Sequence, residues 1–219
     1  MEKFILRYRD IFYYWTLGRS LRGCKSVLDV GCGEHSPLSN VIKTFTSTGI
    51  DIFKPMIAKS KKDKIHDSYV VGDIANLDRY FKPKSFDAII ALDVVEHLPK
   101  KTSLAMISQM EIIAKKRVII LTPNDFYHQK SHRGNPYQEH KSGWKVKDFI
   151  SRGYVVRGLR GLKYLRKEFA SIRYKPWFVW APISFITEPI FYFYPSLSYH
   201  LFAVKDLQKK ALFRKKRTI

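Results

Sequence analysis

Cysteine is scarce in this chain. Only Cys24 and Cys32 occur in 219 residues, and Cys32 sits inside a glycine turn where a disulfide would interfere. Both read as free thiols, which points to a reducing compartment and away from a disulfide-stapled scaffold. Acidic residues are also few: 19 Asp and Glu stand against 40 Lys and Arg, for a net charge of +21 and a sequence pI near 9.9. Such an excess favours nucleic acid or an anionic membrane face as partner, or marks a solvated basic surface, and it fixes no fold. A long apolar run is missing too. Pro182, Pro189 and Pro195 cut the apolar stretch near the C-terminus into pieces shorter than the about 20 residues of a spanning helix. The start, MEKFILRYRDIFYYWTLGRS, does not read as a signal peptide, because Arg7, Arg9 and Asp10 interrupt its apolar residues. An amphipathic helix over 1–20, ending near Gly18, is expected instead. The expected location is cytoplasmic, or peripheral at the inner membrane face.

What is present is an alternation of short β-branched runs with helical segments. SVLDV (26–30), TGIDI (48–52), YVVGD (69–73), FDAIIALD (86–93) and RVIILTPN (117–124) read as successive strands. A helix is expected after the first of them, from the glycine turn to about residue 45. Pro55 suits the first turn of the next helix. Leu104, Ile107, Met110, Ile113 and Ala114 give 102–115 a helical period. Near-continuous apolar strands alternating with helices predict a parallel sheet covered on both faces. A short helix near 145–151, a strand around GYVVRGL and a last strand in SYHLFAVK (198–205) follow.

The strongest chemical signal is VLDVGCGEHS, residues 27–36. A strand ends in Gly31-Cys32-Gly33 at the carboxyl edge of the sheet, where open α/β sheets bind ligands. Glycine lets a ligand approach the backbone, and a helix start offers free N–H donors. Ser36 occupies the place of the third glycine of a dinucleotide fingerprint, which favours a ligand without phosphates. Asp51 ends the second strand, placed to accept both hydroxyls of a ribose. Asp73 ends the third, where a carboxylate accepts from an exocyclic amine, and Ile52 and Ile74 would sandwich a flat base. With Asp29, three acids lie at or inside the carboxyl edge of consecutive strands.

These motifs, VLDVGCG, GID, VGD and FDAIIALDVVEHL, resemble the class I S-adenosylmethionine-dependent methyltransferases over residues 26–124. The resemblance implies an α/β, Rossmann-like, seven-stranded, mostly parallel sheet with helices on both faces and an antiparallel last strand. It implies S-adenosylmethionine as cofactor, with Gly31 and Gly33 at its methionine and ribose portions and Asp51 on the ribose hydroxyls. Asp73 and Ile74 would meet the adenine, and Leu92 and Asp93 the methionine end. A sulfonium cation suits a site bordered by carboxylates. The expected organisation is a single domain over 1–219: the cofactor core at 26–124, an acceptor loop at 125–144, an apolar aromatic insertion at 164–197, the last strand and a basic tail at 206–219.

The acceptor loop carries His128, His132 and His140, with Tyr137, Gln138 and Trp144 as candidate acceptor-binding residues. Its length marks it as functional or disordered. TPN at the strand end and the later HKSGW look like small methyltransferases of glycan and cell-surface biosynthesis. The order Asp93, Glu96, His97, His140 also resembles the metal-binding run of small-RNA 3′-terminal 2′-O-methyltransferases. Asp93 is shorter than the glutamate usual there. The main expectation is no metal, with His97 and His140 as pocket or base residues and a divalent metal on that quartet as the minor alternative; Glu96 could also cap the next helix.

From Pro176 to Val204 there is no Lys or Arg and only one acid, Glu188, while aromatics crowd the segment. Cations flank it: Arg160, Lys163, Arg166, Lys167, Arg173 and Lys175 before, and Lys205, Lys209, Lys210 and Arg214 to Arg217 after. The segment reads as a lid over the acceptor pocket or as a hairpin in an anionic membrane surface. The leading expectation is O-methylation of a small-molecule, glycan or lipid-linked acceptor. RNA methylation and a non-catalytic membrane or complex-binding module are the alternatives.

Overall fold

The computed structural model describes residues 10–131, 135–167 and 170–208. Residues 1–9 of the expected N-terminal helix, His132, and residues 209–219 of the basic tail lie outside them. Seven strands form one sheet: β1 (Ser26–Val30), β2 (Thr46–Asp51), β3 (Ser68–Val71), β4 (Phe86–Leu92), β5 (Ala114–Pro123), β6 (Val155–Leu162) and β7 (Ser198–Asp206). Their order is β3-β2-β1-β4-β5-β7-β6. The pairs among β1 to β5 are parallel, and β7 runs antiparallel to both β5 and β6. The seven-stranded, mostly parallel sheet expected from the sequence is therefore present, antiparallel last strand included.

Strand alternation sends side chains to two apolar clusters. Leu28, Ile89, Ala91, Val118 and Ile120 face one, with Met106, Ile107 and Met110 of the helix Lys100–Ile113. Val27, Ala88, Ile90, Ile119 and Leu121 face the other, where Tyr13, Leu17 and Leu21 lie in and just after α1 (Ile11–Ser20). The period of two thus builds a sheet buried on both faces. Val30 pairs with Ile50 and Ala91, so β1, β2 and β4 finish level. Gly31, Asp51 and Asp93 follow or end strands at that edge.

One expected element is absent. Where a helix was expected to about residue 45, the chain makes a four-residue 3-10 turn, Pro37–Asn40, and then extends into β2. The Ser36 hydroxyl accepts the Leu38 N–H at 3.2 Å, and the Ser39 hydroxyl donates to the Ser36 carbonyl at 2.9 Å. Short polar side chains that bond the local backbone compete with helix propagation. The helix-start donors invoked for the cofactor are accordingly replaced by the glycine turn itself. The helix after β2 is α2 (Lys54–Lys62), opened by Pro55 as expected. The helix Lys100–Ile113 is α3 and Val146–Ile150 is α4. Between β6 and β7 lie α5 (Trp177–Ile186) and α6 (Glu188–Phe193). Among the described residues no helix is long and apolar enough to cross a membrane.

Candidate active site

The glycine turn adopts backbone that only glycine takes without strain. Gly31 and Gly33 have φ of +69° and +54°. A Cβ on Gly31 would lie 2.7 Å from a Val94 methyl, so substitution there would clash inside the fold. A Cβ on Gly33 would meet only the Met56 sulfur, at 3.9 Å, so this glycine faces open space. The Asp51 carboxylate fastens the turn: Oδ2 accepts the Gly33 N–H at 3.0 Å and Oδ1 the Phe53 N–H at 2.8 Å. Burial raises its pKa above the ordinary carboxylate value, against the Phe53, Gly33 and Ile52 N–H groups, which lower it. Each carboxylate oxygen has two acceptor sites, so capacity for two hydroxyls remains.

Beside the turn opens a cavity of about 500 Å³, lined by Asp29, Gly31, Gly33, Met56, Leu92 and Asp93. Glu96, His97, Tyr127, Gln129, Gln138, His140, Arg160, Tyr199 and His200 line it as well. Asp29 is buried, receives the Ser36 hydroxyl at 2.5 Å, and is pushed up to about 7 by burial. Among the described residues no lysine lines the cavity, although the chain is strongly basic.

Asp93, in the left-handed region at φ +56°, turns its carboxylate to His200, whose Nε2 lies 3.3 Å from Oδ1. Burial opposes its charge, but His200 and Arg160 together hold its carboxyl below the ordinary range. Glu96 points elsewhere. Its Oε2 accepts from the Thr122 hydroxyl at 2.9 Å, while Oε1 is buried without a hydrogen-bond partner. Burial, and then the charge of Asp93, push the Glu96 carboxyl well up.

His97 and His140 stand edge to face, ring centroids 4.8 Å apart. Nδ1 of His97 lies 3.2 Å from the Glu139 carbonyl, and Nδ1 of His140 lies 2.7 Å from the Tyr127 carbonyl. A carbonyl oxygen only accepts, so the geometry assigns the proton to Nδ1 and leaves Nε2 as a lone pair on each ring. Burial lowers the pKa of both imidazoles. One donor atom from each of Glu96, His97 and His140 lies within 4.8 Å of the others. Asp93, the fourth member of the expected quartet, is not in that group.

The remaining expected residues divide. Cys32 lines the cavity, but its buried thiol packs over Gly49, and burial raises its pKa. Asp51, Ile52, Asp73 and Ile74 lie outside the cavity lining, Asp51 reaching it only through its bond to the Gly33 N–H. Both Asp73 oxygens are engaged locally, by the Ala75 N–H and the Asn76 amide at 2.9 Å each, and Ile74 packs on the core. Gln138 lines the cavity, whereas Tyr137 is half-exposed and tilts toward Phe53. Trp144 requires correction. It is wholly buried in the core, stacked on Phe149 at 5.1 Å with the Lys100 ammonium 3.5 Å from its ring centroid, and cannot reach an acceptor. Sequence reasoning missed Met56, Tyr127, Arg160, Tyr199 and His200. Of these only Arg160 draws attention in the sequence, as a cation flanking the aromatic segment and not as a site residue.

Residues 28–116 match the family described as Methyltransferase domain. That match covers less than half of the chain, and together with the fold it supports an S-adenosylmethionine-dependent methyltransferase domain with S-adenosylmethionine as cofactor. A sterol 24-C-methyltransferase of Clavispora lusitaniae is 36% identical over 81 residues, 33% of this chain. The match spans about a fifth of that relative's length, 21%. An S-adenosylmethionine-dependent methyltransferase from Archaeoglobus fulgidus shares the fold with TM-score 0.58 and 18% identity, covering 94% of this chain and 93% of its own. The methyltransferase domain of the bacterial protein CtHen1-CN does so with TM-score 0.54 and 23% identity, covering 90% and 98%. The chain's own residues suit the cofactor: Gly33 leaves open space, Asp51 retains acceptor capacity, and carboxylates without lysine border the cavity.

Proposed function

We propose that the protein methylates an oxygen of a small-molecule acceptor, a glycan or a lipid-linked compound, at a membrane face. The observation that carries this reading is the pair of unprotonated Nε2 atoms on His97 and His140, on the wall of the cavity that Gly31 and Gly33 also line. Bound S-adenosylmethionine supplies a methyl group already activated by its positive sulfur. Asp51 would hold the ribose hydroxyls, and Asp93, oriented by His200, would border the methionine end. Gln138 and Tyr127 would contact the acceptor across the cavity. Nε2 of His97 would accept the proton of the acceptor hydroxyl, freeing its oxygen to take the methyl group that the bound cofactor would supply. A base so placed contributes roughly a hundred-fold or more. Labelled-methyl transfer into fractionated cell extract tests the reading: label in lipid or glycan supports it, and label in RNA or protein alone refutes it.

A second reading rests on the grouping of Glu96, His97 and His140 and on the unpartnered Glu96 Oε1. These three would hold a divalent cation, and the acceptor would be an RNA ribose. Two neutral imidazoles and a carboxylate are a chemically suitable donor set. Chelation that abolishes activity, restored by one metal, would favour it over proton transfer to His97.

A further inference from the structure

The segment 176–197 does not cover the cavity: no residue between 171 and 198 lines it. Its two helices are inside-out. In α5 the buried residue is Ser184, while Trp177, Phe178, Val179, Ile183, Phe185 and Ile186 are exposed. In α6 the buried residue is Glu188, while Ile190 and Phe193 are exposed, Phe193 to 67%. Water-facing helices show the reverse pattern, and an apolar patch of this kind marks a binding surface.

The patch extends beyond the segment. The Phe12 ring of α1 meets Tyr192 edge-on at 5.3 Å and stacks with Trp15 at 5.8 Å, and Ile11 and Trp15 are exposed. Cations rim it. The Arg19 guanidinium sits 5.3 Å from the Trp15 ring centroid, and that of Arg157 sits 5.5 Å and 5.8 Å from those of Tyr192 and Phe193. Lys167, Arg173 and Lys175 are exposed just before α5. No exposed acid interrupts the segment, because Glu188 is spent inward on the Arg160 N–H at 2.6 Å.

We infer that α5, α6 and the outer face of α1 form one docking surface that seats on an anionic lipid bilayer without crossing it. Exposed aromatics ringed by cations match an interface of apolar acyl chains and anionic headgroups. The surface is fixed to the cavity wall. A Cβ on Gly158 would lie 2.2 Å from the Phe191 carbonyl and one on Gly161 2.5 Å from that of Ser184, so both helices press on β6. Arg160, held there by Glu188, lines the cavity. Seating on a bilayer therefore places the cavity beside the lipid headgroups, where a lipid-linked acceptor is presented. The acceptor's source rests on the methylation reading above, whereas the docking does not.

The test uses the full chain with vesicles of phosphatidylcholine alone and of phosphatidylcholine with phosphatidylglycerol. Sedimentation should show binding to the anionic vesicles, weakened by salt, with a blue shift of tryptophan fluorescence. The triple variant Phe178→Ser, Ile186→Ser, Phe193→Ser alters exposed residues only, and it should bind about ten-fold or more weakly. It should keep the far-UV spectrum and S-adenosylmethionine affinity of the unaltered chain. The inference is overturned if the full chain binds neither vesicle, or if the triple variant binds as well. It is equally overturned if light scattering shows a dimer that the triple variant dissolves, which would make the face an interface between copies. Loss of S-adenosylmethionine binding in both chains with vesicle binding intact would sink the methylation reading and leave the docking standing.

Discussion

Replacing Asp51 by Ala separates the cofactor reading from a structural one, because its carboxylate has two claims on it. Within the fold it accepts the Gly33 N–H at 3.0 Å and the Phe53 N–H at 2.8 Å. Towards a ribose it offers its remaining acceptor sites to two hydroxyls. A hydrogen bond to a charged group contributes about 1.5–3 kcal/mol, so two lost ribose bonds amount to about 3–6 kcal/mol. At about 1.4 kcal/mol per ten-fold, S-adenosylmethionine and S-adenosylhomocysteine should bind at least about a hundred-fold more weakly. Asp73→Ala is the contrasting variant: its two oxygens are bonded locally, by Ala75 and Asn76, as those of Asp51 are, but only one amine bond to the base, not two ribose bonds, is at stake there. Its loss should cost about 1 kcal/mol of stability, as for a lost cap, and lower the cofactor affinity far less than Asp51→Ala. Isothermal titration calorimetry of both variants, with circular dichroism to confirm folding, gives the comparison. If a folded Asp51→Ala protein binds within about three-fold of the unaltered chain, its carboxylate does not hold the ribose and the assignment is wrong.

Trp144→Ala should act on stability. Emptying a wholly buried indole costs about 3–5 kcal/mol, read as a Tm lowered by about 6–20 °C; an unchanged Tm with a raised acceptor KM would restore Trp144 to the acceptor site. His97→Ala should lower kcat roughly a hundred-fold or more without weakening cofactor binding, and under the proton-transfer reading added chelator should not change the rate of the unaltered enzyme. Burial keeps His97 neutral below its ordinary 6.5, so the acid limb of the kcat profile should fall below that value; a limb above it would contradict the buried neutral ring. Asp29 and His66, 3.4 Å apart, should shape stability against pH in opposite senses. Asp29, raised from 3.8 to about 7, binds a proton in the fold that the unfolded chain has released, so it lowers stability as pH rises through that window. His66, lowered from 6.5 to about 4, binds its proton in the unfolded chain first, so it lowers stability as pH falls through its window. Denaturant titrations of Asp29→Asn and His66→Gln between pH 4 and about 7 should therefore slope oppositely, and parallel slopes would refute the pairing.

The parts legible in the sequence were those fixed by local rules. The strands announced themselves by β-branched apolar runs, and the glycine turn by positions that need positive φ. Asp51 followed from its place at a strand end. The missing helix after the turn was illegible for a reason equally local, because Ser36 and Ser39 spend their hydroxyls on neighbouring backbone groups. Trp144 failed differently. Beside polar loop residues it looks available, and only α3 and α4, closing over it with Lys100 and Phe149, bury it. Arg160 and His200 reach the cavity from strands more than sixty positions beyond Asp93 in sequence. No spacing rule connects them.

Sheet direction explains why the acceptor half of the site is built late in the chain. Parallel strands bring their carboxyl ends to one edge, which is where Gly31, Asp51 and Asp93 stand. β7 is antiparallel, so its beginning reaches that same edge, and Pro123 at the end of β5 pairs with His200 near the start of β7. The end of β6 arrives there as well, where Leu162 pairs with Ser198. A segment inserted between β6 and β7 must therefore leave and re-enter the sheet beside the cavity, whatever its sequence. Placing α5 and α6 there ties whatever their exposed aromatics bind to the acceptor side through Arg160 and Glu188. Glu188→Gln should loosen that link. It would leave Gly31, Asp51 and the cofactor affinity untouched while raising the acceptor KM, and a fall in cofactor affinity instead would show that the two halves are not divided in this way.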